Sequence, residues 1–289
     1  MTKKIEKIEL KKVQPFIKWA GGKRGLLSQI LPLIPKDFNN YFEPFIGGGA
    51  LFFELYSLGL LKDKKIYLFD INTELINTYD MVKNNPIALI NELETFKEKH
   101  SKEFYYEVRA WDREEGFLER GALLRATRFI YLNKTCFNGL YRVNKKNQYN
   151  VPIGNYKNPN ICDRETICKA SEALQNAIIM NTSYKDVLKY ASKDDFVYFD
   201  PPYYPLEGSP SFTSYSEYDF LDKQQKELFN VFSELDKKDS FVTHSNSDTK
   251  FIEELYRSFT INKIKANRFI NSKSSDRGKI SEILVRNTK

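Results

Sequence analysis

Short apolar runs alternate with amphipathic stretches along most of the chain. QPFIKWAGGKRGLLSQILPLIP reads as an apolar run, a glycine turn and a helix ending near Pro35. Tyr41 to Ile46 (YFEPFI) has the pattern of a buried strand. The turn Gly47-Gly48-Gly49 follows it, then the helical stretch ALFFELYSLGL. Lys65 to Asp70 (KIYLFD) predicts a second strand, with a helix from about Thr73. Strand, glycine-rich turn, helix, strand is a βαβ unit. The same rhythm returns later in AIIM, DFVYFD, a helical stretch from Asp222 to Leu235, SFVTHS, a helix from Asp248, FTINKIK and ISEILV. Such continuous apolar runs predict strands covered on both faces, hence an α/β sheet.

Residues 77–164 interrupt this rhythm. Helical segments carry Phe104, Tyr105, Arg109 and Trp111, and then Arg120 to Asn133. In YRVNKKNQYNVP, alternation on either side of a polar turn predicts a hairpin from Tyr141 to Val151. The expected organisation is a sheet domain made of residues 1–76 and 165–289, with residues 77–164 inserted. No internal repeat or low-complexity segment breaks it.

Charge sharpens the picture through its distribution. The net charge is +7, but from Arg120 through Cys162 there are eight Lys/Arg and no Asp or Glu, so the remainder is nearly balanced. A basic island in a neutral protein suits an anionic partner. Cys136, Cys162 and Cys168 make no CxxC pair, which points to a reducing compartment. The start MTKKIEKIELKK lacks the apolar run of a signal peptide, and no stretch approaches a transmembrane span, so a cytoplasmic protein is expected. His100 and His244 are the only histidines and fall in no metal-ligand pattern, so no metal site is expected.

Asp200-Pro201-Pro202-Tyr203 directly follows an apolar strand. In open α/β sheets, ligands bind beyond the carboxyl ends of strands. Two prolines stiffen the backbone and remove two N–H donors, which leaves the Asp200 carboxylate and the Pro201 carbonyl as acceptors beside an aromatic ring. The exocyclic amine of adenine is a poor nucleophile because its lone pair is delocalised. Acceptors taking its two hydrogens favour a pyramidal nitrogen, and Tyr203 can stack on the base. Read alone, the same residues also suit a strand-ending turn.

The glycine turn in EPFIGGGA lets a ligand approach the backbone, and Asp70, ending the next strand, can take ribose hydroxyls. This suits NAD, S-adenosylmethionine or plain close packing alike. In Phe16-Ile17-Lys18-Trp19-Ala20-Gly21-Gly22-Lys23, Trp19 offers a flat face and Lys23 a cation. Arg24 follows Lys23, so no full phosphate loop is present. In the basic island, Asn138, Arg142, Asn144, Lys145, Lys146, Asn147, Asn150, Asn155, Tyr156 and Lys157 alternate with Phe137, Leu140, Tyr141 and Tyr149. Lys and Arg suit phosphates, Arg and Asn suit base edges, and a two-stranded ribbon can enter the major groove.

Six segments in order, FIKWAGGK, EPFIGGGALFF, FDIN, NGLYRVN with YNVPIGNYKNP, DPPY with FTSY, and SSDRGKISEILV, resemble the Dam family of DNA adenine-N6 methyltransferases over nearly the whole chain. The resemblance is especially close to members that methylate GATC. It implies a Rossmann-like S-adenosylmethionine-dependent methyltransferase sheet with an inserted DNA-recognition domain and an antiparallel hairpin near the C-terminal edge. By this likeness Trp19, Lys23, Phe45, Gly47, Asp70, Ser183, Tyr184 and Asp200 are cofactor contacts, and Asp200, Pro201, Pro202 and Tyr203 form the catalytic motif. Lys18, Phe137, Asn138, Leu140, Arg142, Pro152, Asn155 and Tyr156 match positions that touch double-stranded DNA. A separately encoded restriction endonuclease is a partner the resemblance allows.

Three other functions compete. N4-cytosine methylation uses the same acceptor logic but usually carries Ser where Asp200 stands. A non-catalytic DNA-binding module would have no need of an intact Asp200, glycine turn and Asp70. An NAD-dependent dehydrogenase would need a proton relay that neither histidine is placed to supply.

Overall fold

The four residues of Phe196–Phe199 are all buried, Phe196 and Tyr198 in one apolar cluster and Val197 and Phe199 in another. This is strand geometry, in which neighbours point to opposite faces of a sheet covered on both sides. The computed structural model describes residues 12–206, 220–267 and 279–287. FTSY at 212–215, residues 274–278 of the last motif and the first eleven residues lie outside the described residues.

Seven strands form one sheet: β1 (Tyr41–Glu43), β2 (Ile66–Asp70), β3 (Ala177–Asn181), β4 (Phe196–Phe199), β5 (Phe241–Ser247), β6 (Thr260–Asn267) and β7 (Lys279–Arg286). Their order is β3-β2-β1-β4-β5-β7-β6. The first five are parallel, and β7 runs antiparallel to both β5 and β6, giving the hairpin at the C-terminal edge that the resemblance implied. The chain leaves β1 towards β2 on one side and meets β4 on the other. The carboxyl ends of β1 and β4 therefore flank a point where the strand order reverses, the usual place for a crevice in such sheets.

The helices are α1 (Leu27–Ile30), α2 (Ala50–Ser57), α3 (Thr73–Asn84), α4 (Pro86–Glu98), α5 (Lys102–Ala110), α6 (Gly121–Thr135), α7 (Arg164–Leu174), α8 (Val187–Tyr190), α9 (Asp222–Lys237) and α10 (Lys250–Leu255). Phe52 and Phe53 of α2, Leu75 and Tyr79 of α3, and Ile167 and Leu174 of α7 join Tyr41, Leu68 and Tyr198 on one face. On the other face α9 buries Leu228, Val231, Phe232 and Leu235, an i, i+3, i+4, i+7 stripe, with Val187 of α8 and Ile252 of α10. The side chain of Asn72 accepts from Leu75 N at 3.0 Å and starts α3. The helix stops at Asn84, one residue before Asn85-Pro86, because the residue preceding a proline disfavours the helical region.

Residues 77–164 grow out of α3, which runs through position 77, and their buried side chains Leu89, Leu93, Tyr105 and Tyr131 belong to the same cluster as α2 and α3. Three local expectations change. The helix expected before Pro35 is a short α1 between 3-10 turns, interrupted where Pro32 has no N–H to donate. β1 stops at Glu43 because Pro44 cannot continue the ladder. The expected Tyr141–Val151 ribbon is a tight loop with a single Val143–Tyr149 bridge. Its turn is closed by Asn144, whose side chain accepts from Lys146 N and Gln148 N at 2.9 and 3.0 Å. Among the described residues no helix is long and apolar enough to cross a membrane.

Candidate active site

Beyond the carboxyl ends of β1, β2 and β4 the structure opens into a cavity of about 1180 Å³. Trp19, Lys23, Phe45, Gly47, Asp70, Ser183, Tyr184 and Asp200 to Tyr203 all line it, so the sequence-predicted cofactor and catalytic sets share one space. Tyr141, Val143 and Tyr149 of the 141–151 loop line it too, so it reaches from the sheet to that loop.

The turn after β1 is shaped by its neighbours. Gly47 has φ +45°, and a Cβ there would stand 2.7 Å from the Trp19 indole. Glycine is therefore required both by the backbone and by the ring lying on it. Trp19 in turn stacks on Tyr141 at 5.5 Å and 21°, which joins the turn to the hairpin through one aromatic layer. Asp70 faces the same turn. Its carboxylate accepts from Asn72 N at 2.9 Å and Gly47 N at 3.3 Å, and burial holds its pKa up at about 6. Phe45 stacks on Tyr184 at 5.0 Å, and the buried Tyr184 hydroxyl has no partner among the described residues. Ser183 caps the short turn that follows it.

At the end of β4 the Lys23 ammonium, on a residue only 3% exposed, lies 2.9 Å from Asp200. It also donates to Gly21 O at 2.5 Å and sits 4.6 Å over the Tyr203 ring. Burial raises the Asp200 pKa to about 6; Lys23 opposes the rise and Glu282 adds to it. Tyr203 is half-buried and its hydroxyl donates to Glu282 at 2.8 Å, so its ring is held between a cation and a carboxylate.

Two carboxyl groups carried no assigned role in the sequence. Glu43 ends β1, is 3% exposed, accepts from the Tyr41 hydroxyl at 2.7 Å, and is pushed by burial to a pKa of about 8. It lay inside the EPF motif, where an acid at a buried strand end was the available signal. Glu282 on β7 had no such signal, because its place opposite Tyr203 depends on the antiparallel edge.

The residues matched to DNA contacts lie outside the cavity lining, several of them around Lys18. Lys18 points outward next to the inward Trp19; its ammonium is 4.6 Å over the Tyr156 ring. The left-handed pair Asn138 and Gly139 packs against the Lys18 stem, and a Cβ on Gly139 would meet Lys18 Cδ at 2.4 Å. Buried Asn133, which sequence reasoning passed over, ties these together: it accepts from Lys18 N at 2.8 Å and donates to Lys18 O and Gly139 O at 2.7 and 3.2 Å. Phe137 N donates to Pro152 O at 2.9 Å. Phe137, Asn138, Pro152, Asn155 and Tyr156 are exposed and Leu140 is half-buried. Arg142 is exposed and bonded through Nε to the Asn150 side chain at 2.6 Å.

Side chains of α5, α6 and the turn between them hold the 141–151 loop firmly. Asp112 accepts from Tyr149 N at 2.7 Å and pairs with Arg128 at 2.7 Å. Arg113 donates to Tyr149 O at 2.7 Å, and Tyr105 and Arg109 donate to Val151 O at 2.9 and 3.2 Å. These bonds fix the loop so that Tyr141, Val143 and Tyr149 and also Lys146 and Asn147 at its tip line the cavity.

Residues 19–270 match the family described as D12 class N6 adenine-specific DNA methyltransferase. The chain is 48% identical over 277 residues, 95% of each protein, to the Type II methyltransferase M1.LlaDCHI of Lactococcus lactis subsp. cremoris. It is 43% identical to the Type II methyltransferase M.MjaIII of Methanocaldococcus jannaschii, over 95% of this chain and 99% of that one. It is 36% identical to the DNA adenine methylase of Escherichia coli (strain K12) over 96% of both.

Proposed function

The chain belongs to the D12 class of N6 adenine-specific DNA methyltransferases, and we propose that it takes its methyl group from S-adenosylmethionine and acts on an adenine turned out of duplex DNA, within GATC. The observation that carries this reading is the single cavity of about 1180 Å³ shared by the cofactor-side and DPPY residues and reaching Tyr141, Val143 and Tyr149 of the 141–151 loop. It exceeds the roughly 300–1,000 Å³ of an ordinary small-molecule site and has room for a nucleoside cofactor and a base together.

The residues present suit this cofactor. Asp70 at a strand end suits ribose hydroxyls, the Gly47 turn brings backbone close, and the buried Tyr184 hydroxyl without a partner offers a polar contact beside the Phe45 ring. When bound, S-adenosylmethionine supplies a sulfonium methyl open to attack by a nucleophile. The protein's part is at the amine. Asp200 and the Pro201 carbonyl accept its two N–H hydrogens, which frees the nitrogen lone pair and then stabilises the positive charge that grows on the attacking nitrogen. As the N–CH3 bond forms, the C–S bond would break with its electron pair going to sulfur as a neutral thioether, and the nitrogen would then lose one proton to solvent. Asp200 does this as a carboxylate, a form that Lys23 favours against burial. The N6 amine lies within the stacked pair in a duplex, so the base must leave the stack to reach a buried carboxylate, and Tyr203 is the ring beside its path.

Residues 77–164 serve as the target-recognition part, with Lys18, Phe137, Asn138, Leu140, Arg142, Pro152, Asn155 and Tyr156 against DNA. The choice of GATC rests on the likeness through NGLYRVN and YNVPIGNYKNP. The Type II names of the two relatives quoted first support a cognate restriction endonuclease as partner. N4-cytosine methylation and a non-catalytic role give way to the adenine-specific family.

The test is incubation of mixed-sequence duplex with methyl-labelled S-adenosylmethionine, followed by nucleoside analysis and site mapping. Label in N6-methyladenine at GATC is expected, and Asp200→Ala should lower the rate by on the order of a hundredfold or more while retaining the fold. Label at unrelated sites would remove the GATC assignment, and near-normal turnover of Asp200→Ala would remove Asp200 from catalysis.

A further inference from the structure

The turn from Asp200 to Tyr204 is held from behind by polar side chains with almost no solvent exposure. Gln225 on α9 and Asn246 on β5 are 0% exposed, and Ser247 is 5% exposed. Gln225 Nε2 donates to Pro202 O at 3.2 Å, Asn246 Oδ1 accepts from Tyr204 N at 2.9 Å, and Ser247 Oγ donates to Tyr204 O at 2.7 Å. Two of the turn's carbonyls and one of its few N–H groups are thereby fixed, and none of these bonds takes the Pro201 carbonyl.

The orientation of the clamp is dictated from β5. Asn246 Oδ1 also accepts from Ser247 N at 2.8 Å, and two backbone N–H groups can only donate, so its amide nitrogen must face the other way. That nitrogen donates to Gln225 Oε1 at 3.0 Å and meets His244 Nε2 at 3.1 Å. His244 is fully buried and its pKa falls to about 3, so it is a neutral acceptor there. With Oε1 of Gln225 committed to Asn246, its Nε2 is the atom left for Pro202 O. Burying three amide and imidazole groups costs free energy that apolar side chains of similar volume would avoid; every amide atom of Gln225 and Asn246 that faces the turn is paired, His244 Nδ1 alone lacking a partner among the described residues, and such pairing specifies one geometry for the turn.

We infer that Gln225, Asn246 and Ser247 are positioning residues for methyl transfer, which hold the Asp200–Tyr204 turn so that the Asp200 carboxylate and the Pro201 carbonyl converge on the same amine. The inference rests on the reading above that these two groups receive the amine. Gln225 and Asn246 do not line the cavity, and Ser247, which does, commits its hydroxyl to Tyr204 O; all three act through the turn.

The experiment is single-turnover methyl transfer on a pre-bound GATC duplex at saturating methyl-labelled S-adenosylmethionine, with dissociation constants for both measured separately. Gln225→Met keeps the volume and deletes both amide bonds; its transfer rate should fall by about ten- to a hundredfold, as for a small misplacement of a reacting group. Both dissociation constants should stay within about twofold, which separates placement of the turn from a general loss of structure. Ser247→Ala, which removes one hydroxyl, should lower the same rate constant by less. Gln225→Glu can donate to Pro202 O only when protonated, so its rate relative to wild type should climb as pH is lowered from about 8 to about 6. A wild-type rate in Gln225→Met, or a loss confined to affinity, overturns the inference. Should Gln225→Met not fold, a full rate in Ser247→Ala with a pH-independent ratio for Gln225→Glu overturns it equally. Asp200→Ala run in parallel tells the two readings apart: activity there defeats the assignment of Asp200, whereas inactivity there with wild-type transfer in Gln225→Met defeats the clamp alone.

Discussion

Lys23 and Asp200 form a 2.9 Å ion pair across the floor of the cleft, between a segment preceding the first strand and the end of β4. The pair sets the charge state of the carboxylate. Burial drives Asp200 up to about 6, and Lys23 is what limits the rise. In the proposed mechanism the carboxylate form is the one that accepts from the amine, so activity should increase as pH rises through about 6. Lys23→Met removes the opposing cation, and the rising limb of kcat against pH, measured at saturating S-adenosylmethionine, should move to higher pH. An unmoved limb would show that Asp200 does not govern it.

Glu43 offers a test in stability. Its folded pKa of about 8 lies above the usual carboxyl value of 4.5, so the folded state binds this proton more tightly than the unfolded chain. The stabilisation is complete below about 4.5 and is lost as pH rises through about 8. Glu43→Gln cannot ionise and escapes that loss. The melting temperature of the variant minus that of wild type should therefore increase from pH 5 to pH 8, each kcal/mol being worth roughly 2–4 °C in a chain of this size. A constant difference would mean that Glu43 does not titrate in this window.

Gly47→Ala should weaken S-adenosylmethionine binding without unfolding the sheet. A left-handed φ at a non-glycine residue costs about 1–3 kcal/mol, and the new Cβ collides with the Trp19 ring at 2.7 Å. The ring must shift off the turn, which changes its stacking on Tyr141. Calorimetric titration should show reduced affinity together with altered tryptophan emission. Unchanged affinity would remove this turn from the cofactor site.

Asp70→Ala is the complementary change on the other side of the turn. Loss of a charged hydrogen-bond acceptor should weaken S-adenosylmethionine by about 1.5–3 kcal/mol. Calorimetry at fixed pH reads this directly, and tight binding of NAD in its place by the wild-type protein would overturn the cofactor assignment.

Arg142 distinguishes base reading from phosphate holding. Its Nε bond to Asn150 fixes the stem of the guanidinium while the residue stays exposed on the acid-free loop. If it reads a guanine edge, Arg142→Ala should cost about 1–3 kcal/mol and relax choice at one outer position of the site. Mapping of methylated sites, together with the salt dependence of binding, checks this. An even loss across all sequences with a flatter salt slope would make it a phosphate contact instead.

The local and periodic features of this protein are written in its sequence. The runs YFEPFI, KIYLFD and DFVYFD give strands because each is apolar, short and closed by an acid or a proline, and the glycines and Asp70 fall at their ends by the same logic. The basic island could be read because charge needs no fold to be counted. What required the tertiary structure is every partnership between distant segments. Lys18 and Asn133 are 115 residues apart, and Tyr203 and Glu282 are 79. Their meeting depends on the strand order β3-β2-β1-β4-β5-β7-β6, which no hydrophobic period encodes. The same holds for the hairpin: alternation from Tyr141 to Val151 promised a ribbon, but the bonds of Asp112, Arg113 and Arg109 to its backbone draw it into a tight loop against the inserted lobe. Gln225, Asn246 and His244 looked like ordinary polar residues in a helix and a strand, because burial is a property of the packed sheet and not of any segment taken alone.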